Sequence, residues 1–285
     1  MHSLFVENLT VIDFTYFHPT RGLVGESLIV DLELSGELND EGMLFDFSHV
    51  KKQIKQCIDT QVDHKFVVAK NYDKFNMENI EHNNIKLELW TQNGEYYRHI
   101  SPSEAICLLD AEVVSPDIIS EHLQSAVRSV VPDNVKTIAL KIYPENIEGP
   151  YYHYSHGLKK HFGDCQRIAH GHRSAIEVFK DGVLNFELAN RIAQLCQDAY
   201  FVTREDISSS QEIDAKSYLT VEYQANQGVF QLTLPEDRCL QMETDTTVEL
   251  IAQFLLQRLL SEKSDSNLVI KAYEGVKKGA SASSD

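Results

Sequence analysis

The sequence predicts an α+β fold, mainly antiparallel, built twice along one chain. Three observations carry that expectation. Strand-like alternation and helix-like periodicity come in groups rather than in strict turn, which disfavours a doubly wound parallel sheet. The second half repeats, weakly, the order of motifs in the first. The 285 residues, 42% hydrophobic and 24% charged, are enough for two domains of ordinary globular composition.

In the first half, Leu28–Leu34 alternates apolar and polar side chains as a half-buried strand does. Gly42-Met43-Leu44-Phe45-Asp46-Phe47 then turns into a helix marked by Val50, Ile54 and Ile58 at four-residue spacing. Leu89–Gly94 is an extended segment entering a turn, with Pro102 and Cys107 beyond it. A helix over Ile118–Val131 and a strand at Lys141-Ile142-Tyr143 close this half. The second half follows the same order. Ala175–Phe179 is the strand, Gly182–Phe186 the turn, and Leu188, Ile192 and Leu195 mark the helix. Cys196 takes the place of Cys57, Glu222–Gly228 that of Leu89–Gly94, and Pro235 and Cys239 those of Pro102 and Cys107. A helix over Val248–Leu260 and a strand at Lys271-Ala272-Tyr273 finish it. Gly149-Pro150 marks the boundary, giving units 1–148 and 149–285. The small polar tail from Gly279 to Asp285 predicts disorder.

The formal charge is −17, from 26 basic and 43 acidic residues. Such a surface repels phosphate backbones and anionic lipid, so neither nucleic acid nor membrane is an expected partner. No apolar run reaches the roughly 18 residues that a bilayer span needs. The first residues show no basic segment and apolar core of a secretory signal. Five scattered cysteines (57, 107, 165, 196 and 239) fit reduced thiols and a cytoplasmic location. All but Cys165 sit among apolar neighbours and read as small core residues.

The richest chemistry lies between Tyr154 and His172. His170 and His172 enter a strand two residues apart, so both imidazoles face one side. A third ligand, such as His156 on the preceding strand, would hold Zn²⁺ with one position open. His-x-His alone is a weak motif, and a polar loop also gathers histidines without a metal.

Tyr154-Ser155-His156, then Cys165, then His170-Gly171-His172 resembles the metal-binding signature of the 6-pyruvoyl- and 6-carboxytetrahydropterin synthase family. Gly42-Met43 with Asp46-Phe47, Val62-Asp63-His64-Lys65 and Tyr273-Glu274-Gly275 extend the likeness over most of the chain. The resemblance implies two tandem tunnelling-fold units, with antiparallel sheets, helices on one face, and a barrel closed by oligomerisation. It implies a zinc-dependent lyase of 7,8-dihydroneopterin triphosphate, of the 6-carboxy type or, second, the 6-pyruvoyl type. His156, His170 and His172 would bind zinc, Cys165 would act as base, and His64 with Asp63 as proton relay. Glu274 would accept hydrogen bonds from the pterin ring. Glu249 resembles a further family position and is equally an ordinary first-turn carboxylate. Lys159, Lys160, Arg167 and Arg173 are candidates for the phosphates, and His153 and His161 read as bystanders.

The two halves divide these motifs. Aligning Gly25 with Gly171 puts Val24 and Glu26 where His170 and His172 stand, leaving His18 opposite His156. Aligning Asp63-His64 with Asp198-Ala199 leaves the second half without the relay histidine, and Pro144 stands opposite Glu274. The expectation is therefore one composite site, zinc and thiol from the second unit and Asp63-His64 from the first, in a homo-oligomer. In the assembled protein His64 should share a pocket with Cys165. The other reading is a non-catalytic homologue that binds a pterin-like or purine-like ring.

Overall fold

In the computed structural model, which describes residues 1–81, 83–261 and 267–284, each half builds one sheet and contributes to a third. The first half runs β1 (His2–His18), β2 (Gly22–Gly36), α1 (Phe47–Val62), β3 (Phe66–Ala69), β4 (Phe75–Ile80), β5 (Asn84–Trp90), β6 (Tyr96–Pro102), β7 (Ile106–Leu109), α2 (Pro116–Val127) and β8 (Val135–Pro144). The second runs β9 (Tyr151–His156), β10 (His170–Lys180), β11 (Val183–Leu184), α3 (Phe186–Cys196), β12 (Ala199–Thr203), β13 (Ile207–Ile213), β14 (Lys216–Ala225), β15 (Gly228–Pro235), β16 (Cys239–Met242), α4 (Val248–Leu260), β17 (Leu268–Tyr273) and β18 (Gly279–Ser283). Sheet orders are β7-β3-β1-β2-β8 and β16-β12-β9-β10-β17-β18, with β11 on β10. The long hairpins are antiparallel. The short strands after α1 and α3 join them in parallel. The reason is that β2 ends beside the start of β1, α1 then runs back along the sheet to Asp13, and β3 sets off from there in the direction of β1. The α3 helix and β12 do the same beside β9.

The helices cover one face of each sheet. Val50, Ile54, Ile58 and Val62 put one buried side chain per turn of α1 into a core with Ile12, Phe14 and Leu28 from the sheet. Ile251, Leu255 and Leu259 do the same for α4. Each fully buried Ile or Leu contributes about 1.5–3 kcal/mol. Helix starts are set by Ser115, Asn185 and Thr247, whose side chains accept the backbone N–H three residues on. The α2 helix stops at Val127, short of the expected Val131.

The tail is a correction. Residues 279–283 pair with β17 as a strand, and Ala280 and Ala282 pack towards α4. Alternation of small residues had the look of a linker, but small side chains are what a strand needs under a helix. Asp285 lies outside the described residues.

The third sheet, β13-β14-β15-β6-β5-β4, mixes the halves through antiparallel β6–β15 pairing centred on His99↔Leu232. A second junction has the same logic. Thr15 faces Gly25 in one sheet and Ser155 faces Gly171 in the other, and Thr15 Oγ1 donates to Ser155 Oγ at 2.8 Å. Equivalent residues touching each other are the mark of an approximate two-fold axis. The register also re-pairs the halves. Opposite His156 stands Tyr16, not His18, and opposite His64 stands Asp198, both with φ near +55° and both donating their N–H to matching residues, Asp13 and His153.

The close approach at this axis requires glycine. A Cβ on Gly25 would lie 1.8 Å from the Tyr154 carbonyl oxygen and 2.6 Å from the His172 nitrogen. Both are backbone atoms and cannot swing aside. Gly25→Ala is expected to destabilise the fold by more than about 4 kcal/mol, read as a shift in denaturant midpoint or as insoluble protein. An unchanged midpoint would refute this account of the axis.

Candidate functional site

The three candidate ligands are brought together by register. His156 ends β9 directly opposite His170, the first residue of β10, and His172 lies two residues further on the same face. All three are buried, and one ring nitrogen from each lies within 4.8 Å of the others. The backbone behind them selects the tautomers. His156 Nδ1 lies 2.8 Å from the Thr246 carbonyl, and His170 Nδ1 lies 3.0 Å from that of Arg167. A carbonyl only accepts, so each Nδ1 carries the proton and each Nε2 keeps its lone pair. Burial pushes both rings well below the ordinary 6.5, which keeps them neutral.

His172 Nδ1 lies 3.3 Å from Asp13 Oδ1, and its Nε2 is 3.3 Å from His156 Nε2. With Nδ1 of His156 and of His170 protonated, their buried Nε2 lone pairs point toward one another and toward His172, and a cation between the three rings would satisfy them. The donor set therefore fits a metal ion.

The first half supplies the other wall. The His64 ring lies 5.0 Å from that of His170, centroid to centroid, and Cys165 is near enough to favour its charged form. Its Nδ1 is 2.8 Å from Asp63 Oδ2. Burial works against charge on this ring, but Asp63 and Cys165 outweigh it and His64 is pushed up to about 10. Its left-handed backbone, φ +55°, is rare for a histidine and marks a strained, held position. The three histidines, Cys165 and the Asp63-His64 pair thus meet inside one chain, with no second chain needed for the contact.

Glu274 also reaches the site, with Oε1 4.0 Å from His172 Nε2. Thr246, just before α4, holds His156, while Glu249 sits in the first turn of that helix beyond the Thr247 cap. The four expected phosphate ligands all have partners. Lys159 pairs with Glu205 and Asp206, and Lys160 with Asp245. Arg167 pairs with Asp164, and Arg173 donates to the Glu145 carbonyl and stacks on Tyr151. Lys52, Lys55, Lys65 and Arg167, with Asp59, Glu104 and Asp164, line a cavity of about 400 Å³, and sequence reasoning singled out only Arg167 among its cations. Lysines spread over a helix and a turn leave no run to read.

Across the two-fold axis the equivalent positions are filled differently. Tyr16, Val24 and Glu26 stand for the three histidines, and Arg21 forms a two-pronged pair with Asp198 at 2.8 and 2.5 Å. His153, read as a bystander, is buried there and donates to the Gly25 carbonyl at 2.7 Å. Burial raises Glu26 to about 7 from its ordinary 4.5. The folded chain therefore holds a proton between those values that the unfolded chain has lost, and stability falls as pH rises through that window. Glu26→Gln is expected to be more stable than wild type at pH 8 by about 1–2 kcal/mol, and equal to it below about pH 4. Denaturant midpoints at the two pH values check this.

Residues 10–148 match the family model described as 6-pyruvoyl tetrahydropterin synthase. These are the residues of the half that carries Asp63 and His64. Over 136 residues the chain is 24% identical to a protein of Pyrococcus horikoshii named "Putative 6-carboxy-5,6,7,8-tetrahydropterin synthase". It is 25% identical to one of the same name from Pyrococcus abyssi. Each alignment covers 47% of this chain and 76% of the relative. Among solved structures, the 6-pyruvoyl tetrahydropterin synthase of Plasmodium falciparum aligns at 20% identity with a TM-score of 0.41, over 50% of this chain and 90% of that one.

Proposed function

Residues 10–148 are a domain of the 6-pyruvoyl tetrahydropterin synthase family, and from that premise we propose that the chain is a zinc-dependent pterin lyase acting on 7,8-dihydroneopterin triphosphate. The observation that carries this reading is the meeting of His156, His170 and His172 with Cys165 and His64, drawn from opposite halves. The units are 1–148, without the ligand set, and 149–285, with it. The names of the two Pyrococcus relatives favour the 6-carboxytetrahydropterin product over the 6-pyruvoyl one.

In this reading the three imidazoles hold zinc, which when bound supplies a Lewis acid for the oxygens of the substrate side chain. Cys165 takes a proton from the carbon chain beside those oxygens. His64 stands against Cys165 and relays protons to and from it, while Asp63 fixes the ring and supports its positive charge. Glu274, a carboxylate at the edge of the triad, accepts N–H groups of the pterin ring and sets its orientation. The cavity beside Lys65 and Arg167 receives the phosphates, whose charge those cations balance.

No described helix is long and apolar enough to cross a membrane, and five free thiols support a cytoplasmic location. Within one chain β7 and β8 end the first sheet, β16 and β18 the second, β4 and β13 the third. Among the described residues these six sheet edges carry no further strand, which supports a homo-oligomer that closes them. The deciding experiment for the activity is incubation of zinc-loaded protein with 7,8-dihydroneopterin triphosphate and identification of the product by mass. A 6-carboxytetrahydropterin supports the favoured branch, a 6-pyruvoyl product replaces it with the other, and unaltered substrate overturns the enzyme reading in favour of a ring-binding protein.

A further inference from the structure

We propose that Asp13 is the positioning residue that ties the metal ligands of the second half to the acid–base pair of the first. The inference deepens the metal-site reading above and rests on it.

Asp13 lies on β1, 3% exposed, and every part of it is engaged. Its Oδ1 is 3.3 Å from His172 Nδ1, within ion-pair reach but outside hydrogen-bond geometry, and among the described residues that buried nitrogen has no hydrogen-bond partner, which leaves Asp13 as the acceptor placed beside it. Ser27 donates its hydroxyl to the same oxygen at 2.5 Å, and Lys278 lies 3.2 Å from the other. The Asp13 N–H donates to Asp63 Oδ1 at 2.8 Å, and its carbonyl accepts the His64 N–H at 2.7 Å. On the remaining side lies Gly275, where a Cβ would come within 2.5 Å of Oδ1. Glycine at φ +71° is what lets the turn carrying Glu274 sit this close.

One residue thus touches the segments that carry His172, Asp63, His64 and Glu274. A carboxylate behind a metal-binding imidazole decides which ring nitrogen keeps its proton and which way the other points. Thr246 and Arg167 do this for His156 and His170 with carbonyls from their own half. Asp13 does it for His172 from the opposite half, so the ligand geometry and the relay share one anchor. Across the axis the matching residue is His153, which has no ligand imidazole in front of it and faces Glu26 at 3.8 Å. The carboxylate stands only on the side where three histidines converge.

The test measures metal binding by the purified full chain and needs no turnover. Metal-free protein is titrated with zinc against a competing chelator. Asp13→Asn is expected to weaken zinc about 10- to 100-fold. In ¹⁵N-histidine spectra of the metal-free protein, wild-type His172 should be protonated at Nδ1, and the variant should shift that proton toward Nε2. Because an unfolded histidine also favours Nε2–H, the comparison is made on variant protein whose backbone amide spectrum keeps the dispersion of wild type. Ser27→Ala, which removes only the hydroxyl fixing Oδ1, is expected to weaken zinc severalfold and guards against a misfolded Asp13 variant. Wild-type zinc affinity in both variants overturns the role of Asp13 and leaves the pterin-lyase reading standing. A wild-type chain that binds no zinc overturns the metal reading and this proposal together.

Discussion

His170→Ala is expected to leave the purified chain without metal, whereas wild type should hold one equivalent of zinc and both Tyr16→Ala and His18→Ala should retain it. Elemental analysis of metal-supplemented preparations checks all four proteins. The argument is one of ligand number. His156, His170 and His172 place one nitrogen each within 4.8 Å of the others, and a zinc site with three protein ligands does not survive on two. The fold should tolerate the change better than the metal does. His170 loses one hydrogen bond to the Arg167 carbonyl, worth about 1 kcal/mol, against a metal affinity that falls by orders of magnitude. Zinc should raise the melting temperature of wild type and leave that of His170→Ala unmoved, since a ligand stabilises only the state that binds it. Two equivalents in wild type would contradict the reading of the other half, where Tyr16, Val24 and Glu26 occupy the matching positions.

The duplication, the helices and the three histidines were legible because each depends on local spacing. Val50, Ile54 and Ile58 repeat with a helix period, and His170 and His172 with a strand period, whatever the rest of the chain does. The equivalence between halves was legible only to within a residue or two. The turn from His18 to Gly22 is tight, while the segment from His156 to His170 is a long loop. Counting across unequal loops put His18 opposite His156, and only hydrogen-bond register shows that Tyr16 stands there. The same slip set Asp198 opposite Asp63 instead of His64. Asp13 left no trace in the sequence. It belongs to no motif, and it meets His172 only because two sheets pack across an axis. The last strand, Gly279–Ser283, was hidden by composition, since Gly, Ala and Ser read as a linker until a helix is found lying over them.

Cys165→Ala and His64→Ala should each lower kcat/KM for the pterin substrate by about 10³-fold, the usual range for a general acid–base group. Together they should cost little more than either alone. The reason is that they act as one unit. The His64 ring has Cys165 beside it and hydrogen-bonds with Asp63 at 2.8 Å. Those two neighbours push it up to about 10 against the opposing effect of burial, so the ring holds its proton throughout the neutral range. A proton removed by Cys165 has its nearest exchange partner in that ring, and without either member the relay is broken at one point. Additive losses, near 10⁶-fold in the double variant, would mean two independent steps and no shared relay. Asp63→Asn keeps the shape but removes the charge, and should bring the apparent value of His64 in metal-free protein down from about 10, read by NMR titration. Metal content must stay at one equivalent in all of these variants, because none of the three residues belongs to the triad that gathers it. Full activity in both single variants at unchanged zinc content would return Asp63 and His64 to a structural turn, and the catalytic reading of the composite site would fall with them.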